Sequence, residues 1–348
     1  MNESFPAVPH FSHEAMSTIF EIFIPDPDAS YAEQAARAAF REIDRLEGLF
    51  SRFDPGSEIS RINRLPEGRE IPVGIETFEC LSLAEAVRVE TGGAFDINAR
   101  AAAPPGVSEY PDPFPNEPAP FSAGFELVGE SGSYAIRRPA ASGLCGFPVL
   151  HDPWESGPAY TTIGSQGAGP PEIPRLDLDL GGVGKGYALD QAAKILLEWG
   201  VSDALLHGGM SSALAAGSPL AKSGTDPESK LPARPGWPVG VGAGWPGAPT
   251  RVVLSGRALS GSGTEVKGGH ILDPRTGRPA RGNLAAWASA PTAALSDALS
   301  TAFFVMTPDA VEAFVGRHPD IWACLVVSYG DIRIWGQITH SPISTIGE

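Results

Sequence analysis

Apolar residues recur every three or four positions in several stretches of the chain, and this spacing is typical of helices with one buried face. The stretches with this pattern cover residues 31–50, 75–90, 187–199, 293–306 and 309–317. Shorter apolar runs, typical of strands, cover residues 19–24, 203–206, 239–241, 251–254, 321–327 and 331–335, with a hairpin over 125–138. Ser30 is predicted to cap the first helix. Helices and hairpin-like strands that are separated along the chain favour an α+β fold over a regular parallel sheet.

The strongest local pattern lies between Leu176 and Gly200. Leucine alternates with aspartate over residues 176–180, which predicts a half-buried strand. Glycines and Lys185 follow, and a helix is predicted from Tyr187 until Gly200 caps it. A strand that meets a helix through glycines lets backbone N–H groups approach an anion, and the lysine adds positive charge. A phosphate-containing ligand is therefore the first interpretation.

This glycine-rich segment does not match the two common phosphate-binding motifs. A Walker A loop has Ser or Thr after its lysine, and here Gly186 follows Lys185. A dinucleotide-binding fingerprint has a third glycine where Tyr187 stands. Taken alone, the segment is equally consistent with a tight connection that carries a solvated lysine. Motifs elsewhere in the chain are needed to decide.

The net charge of −16 argues against nucleic acid as a partner, because phosphate backbones are bound by clusters of Lys and Arg. An anionic ligand would then be held locally, by backbone N–H groups, a few cationic side chains or a metal. The cysteines, Cys80, Cys145 and Cys324, are scattered and give neither a disulfide framework nor a zinc-binding pattern. The sequence contains no apolar run long enough to cross a membrane and no visible signal peptide or lipid-anchor motif, so a cytoplasmic location is expected.

Two stretches rich in proline and glycine interrupt the periodic patterns. Residues 101–175 and 217–236 are predicted to be loose surface insertions, because neither shows a sustained helical or strand period. The periodic segments lie in residues 16–100 and 176–335, and no internal repeat is evident. The functional residues are therefore expected in these two parts of the chain.

Oxygen-bearing side chains cluster on the helix predicted over residues 293–306. Asp297 and Thr301 are four positions apart and so lie on one helix face, with Ser300 beside them. A carboxylate and hydroxyl oxygens suit a hard cation such as Mg²⁺, which leaves coordination positions for water and substrate phosphates. Asp and Ser near a helix start are, however, more often caps, and both interpretations stay open at this point.

Two further residues stand in settings typical of ligand-binding loops. His270 lies between a glycine pair and an Asp-Pro turn, and a histidine that titrates near neutrality can accept a proton. Asp96 follows a glycine pair and Phe95, and its carboxylate could accept hydrogen bonds from a ligand ring or ribose. Each has a structural alternative, because a lone histidine more often has a structural role and an aspartate often stabilises a turn.

Six motifs occur in one order and are together far more specific than any of them alone. They are MST (residues 16–18), SEISRIN (57–63), TGGAFD (91–96), DLGGVGKGYALD (179–190), HILDPRTG (270–277) and SDALSTA (296–302). Their order and spacing resemble those of the ApbE family, the FAD:protein FMN transferases. The resemblance spans residues 16–327 apart from the two insertions.

The resemblance implies an α+β, T-fold-like architecture of mixed sheets with packed helices, formed by a single domain over residues 1–348. It implies an enzyme that binds FAD and Mg²⁺, cleaves the FAD diphosphate, joins FMN to a Thr or Ser hydroxyl of an acceptor flavoprotein and releases AMP. The expected acceptor motif, Asp-x-x-Thr/Ser-Gly-Ala-Thr, does not occur in this chain, so modification of itself is not indicated. Two alternatives stay open: a Mg²⁺-dependent FAD diphosphatase that releases free FMN, and a non-catalytic flavin-binding protein.

The resemblance also implies roles for individual residues. The metal would be held by Asp297, Thr301 and the backbone carbonyl of Gly182, with Ser300 adjacent. The catalytic residues would be Asp297, which acts through the metal, and His270, which would activate the acceptor hydroxyl. The FAD site would be lined by residues from several motifs: Met16, Phe53, Ala94, Phe95, Asp96, Asp179, Lys185 and Ile271.

Overall fold

The structure of the protein is a computed structural model that describes most of the chain outside the insertions. The described residues are 8–26, 28–102, 124–130, 132–140, 147–150, 160–163, 175–217, 236–241, 245, 247–263 and 271–338. Most of residues 101–175 and 217–236 lies outside these ranges. The prediction that these two insertions are loose therefore concerns residues that the structure does not describe. The chain divides into two compact units: the first comprises Met1–Glu47, Val183–Val266 and Gly282–Glu348, and the second comprises Gly48–Gly182 and Lys267–Arg281.

The first unit is built on an eight-stranded antiparallel sheet. In spatial order the strands are β1 (His10–Ala15), β2 (Thr18–Phe23), β8 (Ala204–Gly208), β9 (Ser212–Ala216), β12 (Arg257–Gly263), β15 (Ala285–Ala290), β16 (Trp322–Ser328) and β17 (Asp331–Trp335). The strands predicted at both ends of the periodic pattern are confirmed, the first as β2 and the last as β17. Short turns join several neighbours, which is typical of antiparallel sheets.

The two faces of this sheet pack against different layers. One face lies under helices, and the Ser296 hydroxyl of a helix donates to the Ala288 carbonyl of β15 at 2.8 Å. The opposite face packs on the ribbon of β10 (Trp237–Gly240) and β11 (Arg251–Leu254). The buried cluster on that face includes Leu205, Ala213, Ala215, Trp237, Val239, Leu254, Leu259, Trp322 and Cys324. Successive residues of each strand thus point alternately toward the helices and toward the ribbon of β10 and β11.

The helices of the first unit are α1 (Ala29–Phe50), α4 (Gly184–Glu198), α5 (Ala293–Val305) and α6 (Pro308–Arg317). Side chains cap all of these helices except α4, whose N-cap residue Val183 makes no side-chain hydrogen bond. Thr292 caps α5 and Thr307 caps α6, each through its hydroxyl oxygen. The prediction that Ser30 caps α1 is wrong, because the Asp28 carboxylate accepts from the N–H groups of Ser30 and Tyr31 and takes that role. Among the described residues, no helix combines the length and the apolar character needed to cross a membrane.

Helix α4 begins three residues earlier than the apolar pattern predicts. It starts at Gly184 and not at Tyr187, so Lys185 and Gly186 form its first turn instead of a preceding loop. A Cβ at Gly186 would stand 2.2 Å from the carbonyl oxygen of Ala293. The close approach of α4 to the start of α5 therefore requires glycine, whereas periodicity reports only apolar positions and missed this turn.

The second unit is made of short elements. They are α2 (Glu58–Asn63), α3 (Ile75–Glu90), a 3₁₀ helix (Ala99–Ala102), the sheet of β3 (Glu70–Pro72), β5 (Ser133–Arg137) and β4 (Glu126–Glu130), and the ribbons β6 (Phe147–Leu150) with β7 (Tyr160–Ile163) and β13 (Leu272–Asp273) with β14 (Arg278–Pro279). The predicted helix over residues 75–90 is confirmed as α3, and the hairpin predicted over 125–138 is confirmed as β4 and β5.

Residues 175–180 run extended through the second unit without pairing in a sheet. Their leucines are buried in alternation as the pattern predicts, but the prediction of a strand is wrong. Side-chain amides satisfy the backbone instead: Asn63 accepts from the Leu178 N–H at 2.7 Å and donates to the Leu178 carbonyl at 3.1 Å. Asn98 accepts from the Asp177 N–H at 2.8 Å. Alternation reports which side chains are buried, and it cannot report which groups bond to the backbone.

Candidate functional site

The carboxylate of Asp297, in α5, is the centre of a buried polar cluster in the first unit. Only 3% of this residue is exposed. Lys185 Nζ lies 3.2 Å from Oδ2, the Gly186 N–H donates to the same oxygen at 3.2 Å, and Ser212 Oγ donates to Oδ1 at 3.1 Å. A buried carboxylate needs such compensation, because a charge without partners in the interior is strongly destabilising.

Three hydroxyl groups extend this cluster along α5. Ser262 Oγ of β12 lies 2.9 Å from Ser300 Oγ and 3.3 Å from Thr301 Oγ1. Ser300 also donates to the carbonyl oxygen of Asp297 at 2.9 Å. The structure therefore brings Asp297, Ser300 and Thr301 together on the helix face toward the sheet, and Lys185, predicted at the FAD site, joins them.

The donor set of the cluster fits a small, hard cation. Its candidate ligands are all oxygen atoms, one carboxylate and several hydroxyls, which are the ligands that Mg²⁺ prefers. Within the described ranges, no group of three or more His, Cys, Asp and Glu side chains could hold a metal ion by itself. Mg²⁺ commonly uses one or two carboxylates and takes its remaining ligands from water and phosphate oxygens. Asp297 with Ser300 and Thr301 matches that pattern.

Asp190 of α4 fixes the start of α5. Its carboxylate accepts from the N–H of Ala293 at 2.8 Å and from the N–H of Ala294 at 2.9 Å, which would otherwise lack partners at the helix end. Burial raises the pKa of Asp190 to about 6, although the two hydrogen bonds favour the ionised form. This contact sets the position of Lys185, at the start of α4, relative to Asp297, in the second turn of α5.

A second polar cluster, in the second unit, joins two residues predicted at the FAD site. The guanidinium carbon of Arg52 lies 4.3 Å from the ring centroid of Phe53, and Arg52 Nε lies 3.2 Å from the Asp179 carboxylate. The Phe53 ring is highly exposed, at 78% for the residue. An exposed aromatic ring beside a guanidinium can stack on a planar ring of a ligand. The arrangement offers a stacking surface for a planar ring of a ligand.

The motif over residues 91–96 forms a compact turn in the same unit. Gly92 and Gly93 have φ angles of 59° and 77°, which glycine adopts without strain. Asp96 ends the turn and accepts from the Asn98 N–H at 2.7 Å. Burial raises the pKa of Asp96 to about 6, against the lowering effects of that hydrogen bond and of Arg88. A carboxyl group with a raised pKa is a candidate for contact with a ligand.

Met16 is held in a backbone conformation that few residues other than glycine adopt. With Ser17 it forms the two-residue turn between β1 and β2, at φ angles of 50° and 59°. Positive φ at both positions is the geometry of a type I′ turn, which usually selects Asn-Gly. Non-glycine residues in this region cluster at functional sites, and the turn is consistent with the predicted role of Met16 in binding.

The other predicted site residues lie as follows. Gly182 lies in the turn that precedes α4, and the Ile271 carbonyl, next to β13, accepts from the Ala280 N–H at 2.8 Å. Ala94 and Phe95 are buried beside Asp96. His270 lies outside the described residues, so its assignment as the base stays a prediction.

Four residues of these clusters, Arg52, Asp190, Ser212 and Ser262, were not predicted from the sequence. Arg52 could have been found, because it directly precedes Phe53, and Asp190 ends the motif DLGGVGKGYALD. Ser212 and Ser262 carry no such signal, since a serine after a glycine-rich stretch is compatible with many loops. Their place beside α5 follows from sheet pairing, which brings distant segments together.

The fold and the Asp297 cluster define an α+β protein with a candidate site for a cation and a phosphate. The model of the ApbE family matches residues 16–104 and 164–326, more than half of the chain. The chain belongs to the ApbE family.

Relatives of this chain carry the name FAD:protein FMN transferase. That of Escherichia coli (strain K12) is 26% identical over 335 residues, which cover 92% of this chain and 85% of the relative. That of Rhodobacter capsulatus is 32% identical over 183 residues, which cover 49% of this chain and 31% of the relative.

Solved structures of flavin transferases confirm the predicted α+β architecture. The flavinyl transferase ApbE of Pseudomonas stutzeri has a TM-score of 0.66 at 19% identity, over 96% of this chain and 96% of that chain. The flavin transferase ApbE of Vibrio cholerae has a TM-score of 0.65 at 18% identity, over 94% of this chain and 97% of that chain. At these identities the likeness shows the fold alone.

Proposed function

We propose that this chain transfers the FMN part of FAD to a Thr or Ser hydroxyl of an acceptor flavoprotein, with Mg²⁺ as the cation and AMP as the second product. The observation that carries the proposal is the buried Asp297 carboxylate with Lys185 at 3.2 Å and hydroxyls beside it. Such a cluster can hold a cation and a diphosphate together. The similar proteins of E. coli and R. capsulatus are named for this activity, which supports the assignment.

The proposed reaction exchanges one bond at phosphorus. The acceptor oxygen bonds to the phosphorus of the FMN half, the bond from that phosphorus to the bridging oxygen breaks, and the bridging oxygen leaves with AMP. The hydroxyl proton goes to a base, and we assign that role to His270. Catalysis of phosphoryl transfer depends mainly on positioning and on positive charge near the phosphate oxygens.

Residues of the first unit would supply that charge. Asp297, Ser300 and Thr301 would hold the cation, which when bound stabilises negative charge on the diphosphate. Lys185 stands on the first turn of α4, where backbone N–H groups also favour an anion. A chain with a net charge of −16 needs such a local concentration of positive groups to bind a diphosphate.

Residues of the second unit would bind the rings and ribose of FAD. The exposed Phe53 ring beside Arg52 offers a stacking surface, and Asp96 offers a carboxyl group for hydrogen bonds. Arg52→Gln would remove the guanidinium and free Asp179 from its ion pair. We expect FAD binding to weaken about fivefold in this variant, as measured by titration of flavin fluorescence, because a cation–π contact between the guanidinium and a ligand ring is worth about 1 kcal/mol.

The test of the proposed function is a mass measurement on an acceptor. The purified chain is incubated with FAD, Mg²⁺ and a domain that carries an Asp-x-x-Thr-Gly-Ala-Thr segment. In a matched control acceptor, Val replaces both threonines of this segment. The expected result is that only the Thr acceptor gains the mass of one FMN group and that an equal amount of AMP appears. EDTA should stop both changes.

Two outcomes would contradict this function. AMP with free FMN and an unmodified acceptor would instead indicate an FAD diphosphatase. Bound FAD without AMP, in the presence and absence of the acceptor, would indicate a flavin-binding protein.

A further inference from the structure

A row of serines on the sheet faces α5. Ser212 of β9 pairs directly with Ser260 of β12, and Ser262 lies two positions further along β12. Residues that are paired, or two apart on one strand, project from the same face of a sheet. Ser212 reaches Asp297 and Ser262 reaches Ser300, so this face is the one that α5 covers.

Ser212 restrains the Asp297 carboxylate. Its hydroxyl donates to Oδ1, and only 2% of the serine is exposed, so the donor sits on a buried strand with little freedom to move. Lys185, the other side-chain donor to Asp297, stands on a long flexible stem that is partly exposed. Of these two, the serine is therefore better suited to fix the direction in which the carboxylate presents its remaining lone pairs.

Ser260 lies between the other two serines, beneath α5, and is fully buried. Its Oγ has no hydrogen-bond partner among the described residues. A buried hydroxyl without a partner costs about 1–3 kcal/mol, so native proteins seldom keep one without a reason. A water molecule bound to a cation at the neighbouring Asp297 cluster would give this oxygen its partner.

We propose that Ser212 and Ser260 are positioning residues of the cation site: Ser212 orients Asp297, and Ser260 bonds to a water molecule of the hydrated Mg²⁺. The inference rests on the proposed function, because it assumes that Asp297 holds a cation. The loss of a side chain that hydrogen-bonds to a metal ligand typically lowers metal affinity or activity about 10–100-fold.

The test compares Ser212→Ala and Ser260→Ala with Ser289→Ala. Ser289 is a fully buried serine of β15 that bonds to Arg257 and to the Ala258 carbonyl on the opposite face of the sheet. Metal affinity is measured on the full chain with Mn²⁺ alone, from the loss of its free-ion EPR signal. AMP release is measured against Mg²⁺ concentration, and the thermal midpoint is measured without metal.

Both site variants should bind Mn²⁺ about tenfold more weakly and need about tenfold more Mg²⁺ for half-maximal AMP release. Ser289→Ala should leave both values unchanged, although it loses two hydrogen bonds and unfolds at a lower temperature. Ser260→Ala should not lower the thermal midpoint without metal, because it loses no bond within the described chain. Ser212→Thr, which keeps the hydroxyl, should restore the affinity that Ser212→Ala loses.

Unchanged metal affinity in Ser212→Ala or in Ser260→Ala, with a wild-type chain that binds Mn²⁺ and releases AMP, would overturn the role of that serine. A wild-type chain without metal-dependent AMP release would contradict the proposed function itself. The two failures are therefore distinguishable.

Discussion

The two candidate clusters differ in the kind of structure that holds their side chains. In the first unit, Asp297 is held by regular elements, by the first turn of α4 and by Ser212 of β9. In the second unit, Asp179 lies on an extended segment that pairs with no strand of the described chain. The amides of Asn63 and Asn98 hold the residues before it, and the Asp179 N–H donates to the Ile97 carbonyl. One cluster depends on packed helices and a sheet, and the other depends on a few individual side chains.

This difference matches the two tasks of the proposed reaction. Phosphoryl transfer needs charged groups at fixed positions, and elements packed on a sheet provide them. Recognition of a large dinucleotide needs loops that can fit several chemical groups, and loops carry most ligand contacts in proteins. Substitutions in the first unit should therefore act mainly on turnover and rigidity. Substitutions in the second unit should act mainly on FAD binding.

The largest effect is expected from Gly186→Ala in the first unit. The new Cβ would stand 2.2 Å from the Ala293 carbonyl oxygen, so α4 and α5 would have to separate. We expect a loss of more than about 4 kcal/mol in the free energy of unfolding, measured with urea. Gly48→Ala in α1 is the control: it meets no atom within 4 Å and should gain about 0.5–1 kcal/mol. A mild loss in Gly186→Ala would show that α4 can shift.

The pH dependence of stability tests the Asp190 contact. Burial raises its pKa to about 6, so between about pH 4 and pH 6 the native state binds more protons than the unfolded state, and the free energy of unfolding falls as pH rises. Asp190→Asn removes this term. Stability of the wild type relative to the variant should fall by up to about 3 kcal/mol from pH 4 to pH 7. Urea denaturation curves whose difference does not change with pH would contradict the raised pKa.

A smaller effect is expected from Asn98→Ala in the second unit. The variant loses the hydrogen bonds to the Arg175 carbonyl and the Asp177 N–H, which should cost about 2 kcal/mol and weaken FAD binding. Asn283→Ala is the control, because this buried amide of the first unit donates to carbonyls at the end of α5. It should cost as much stability and leave the affinity for FAD unchanged. Equal losses of FAD affinity in both variants would remove the distinction between the units.

The smallest effect is expected at the turn between β1 and β2. Ser17 has a φ angle of 59°, which costs a non-glycine residue about 1 kcal/mol. Ser17→Gly should therefore stabilise the chain by up to about 1 kcal/mol, after the greater freedom of glycine in the unfolded state is subtracted. Thermal unfolding measures this change, and a destabilised variant would show that the serine side chain makes a compensating contact.

Contacts within one helix could be predicted from the sequence, and contacts between distant segments could not. The spacing of Asp297 and Thr301 was enough to place them on one helix face, because a helix has a fixed period. The contact of Lys185 with Asp297 spans 112 positions and depends on how α4 and α5 pack, which no local pattern encodes. The burial of the leucines in residues 175–180 was predictable, whereas their lack of a strand partner was not.

The most direct test of this account is to measure FAD binding and AMP release separately in Asp297→Asn. Asparagine keeps the shape of the side chain and removes the carboxylate at the centre of the cluster. We predict that AMP release with Mg²⁺ falls at least about 100-fold, while the affinity for FAD measured without metal stays within about threefold of the wild type. Turnover close to that of the wild type, in a variant with an unchanged fold, would contradict the assignment of Asp297 to the cation site.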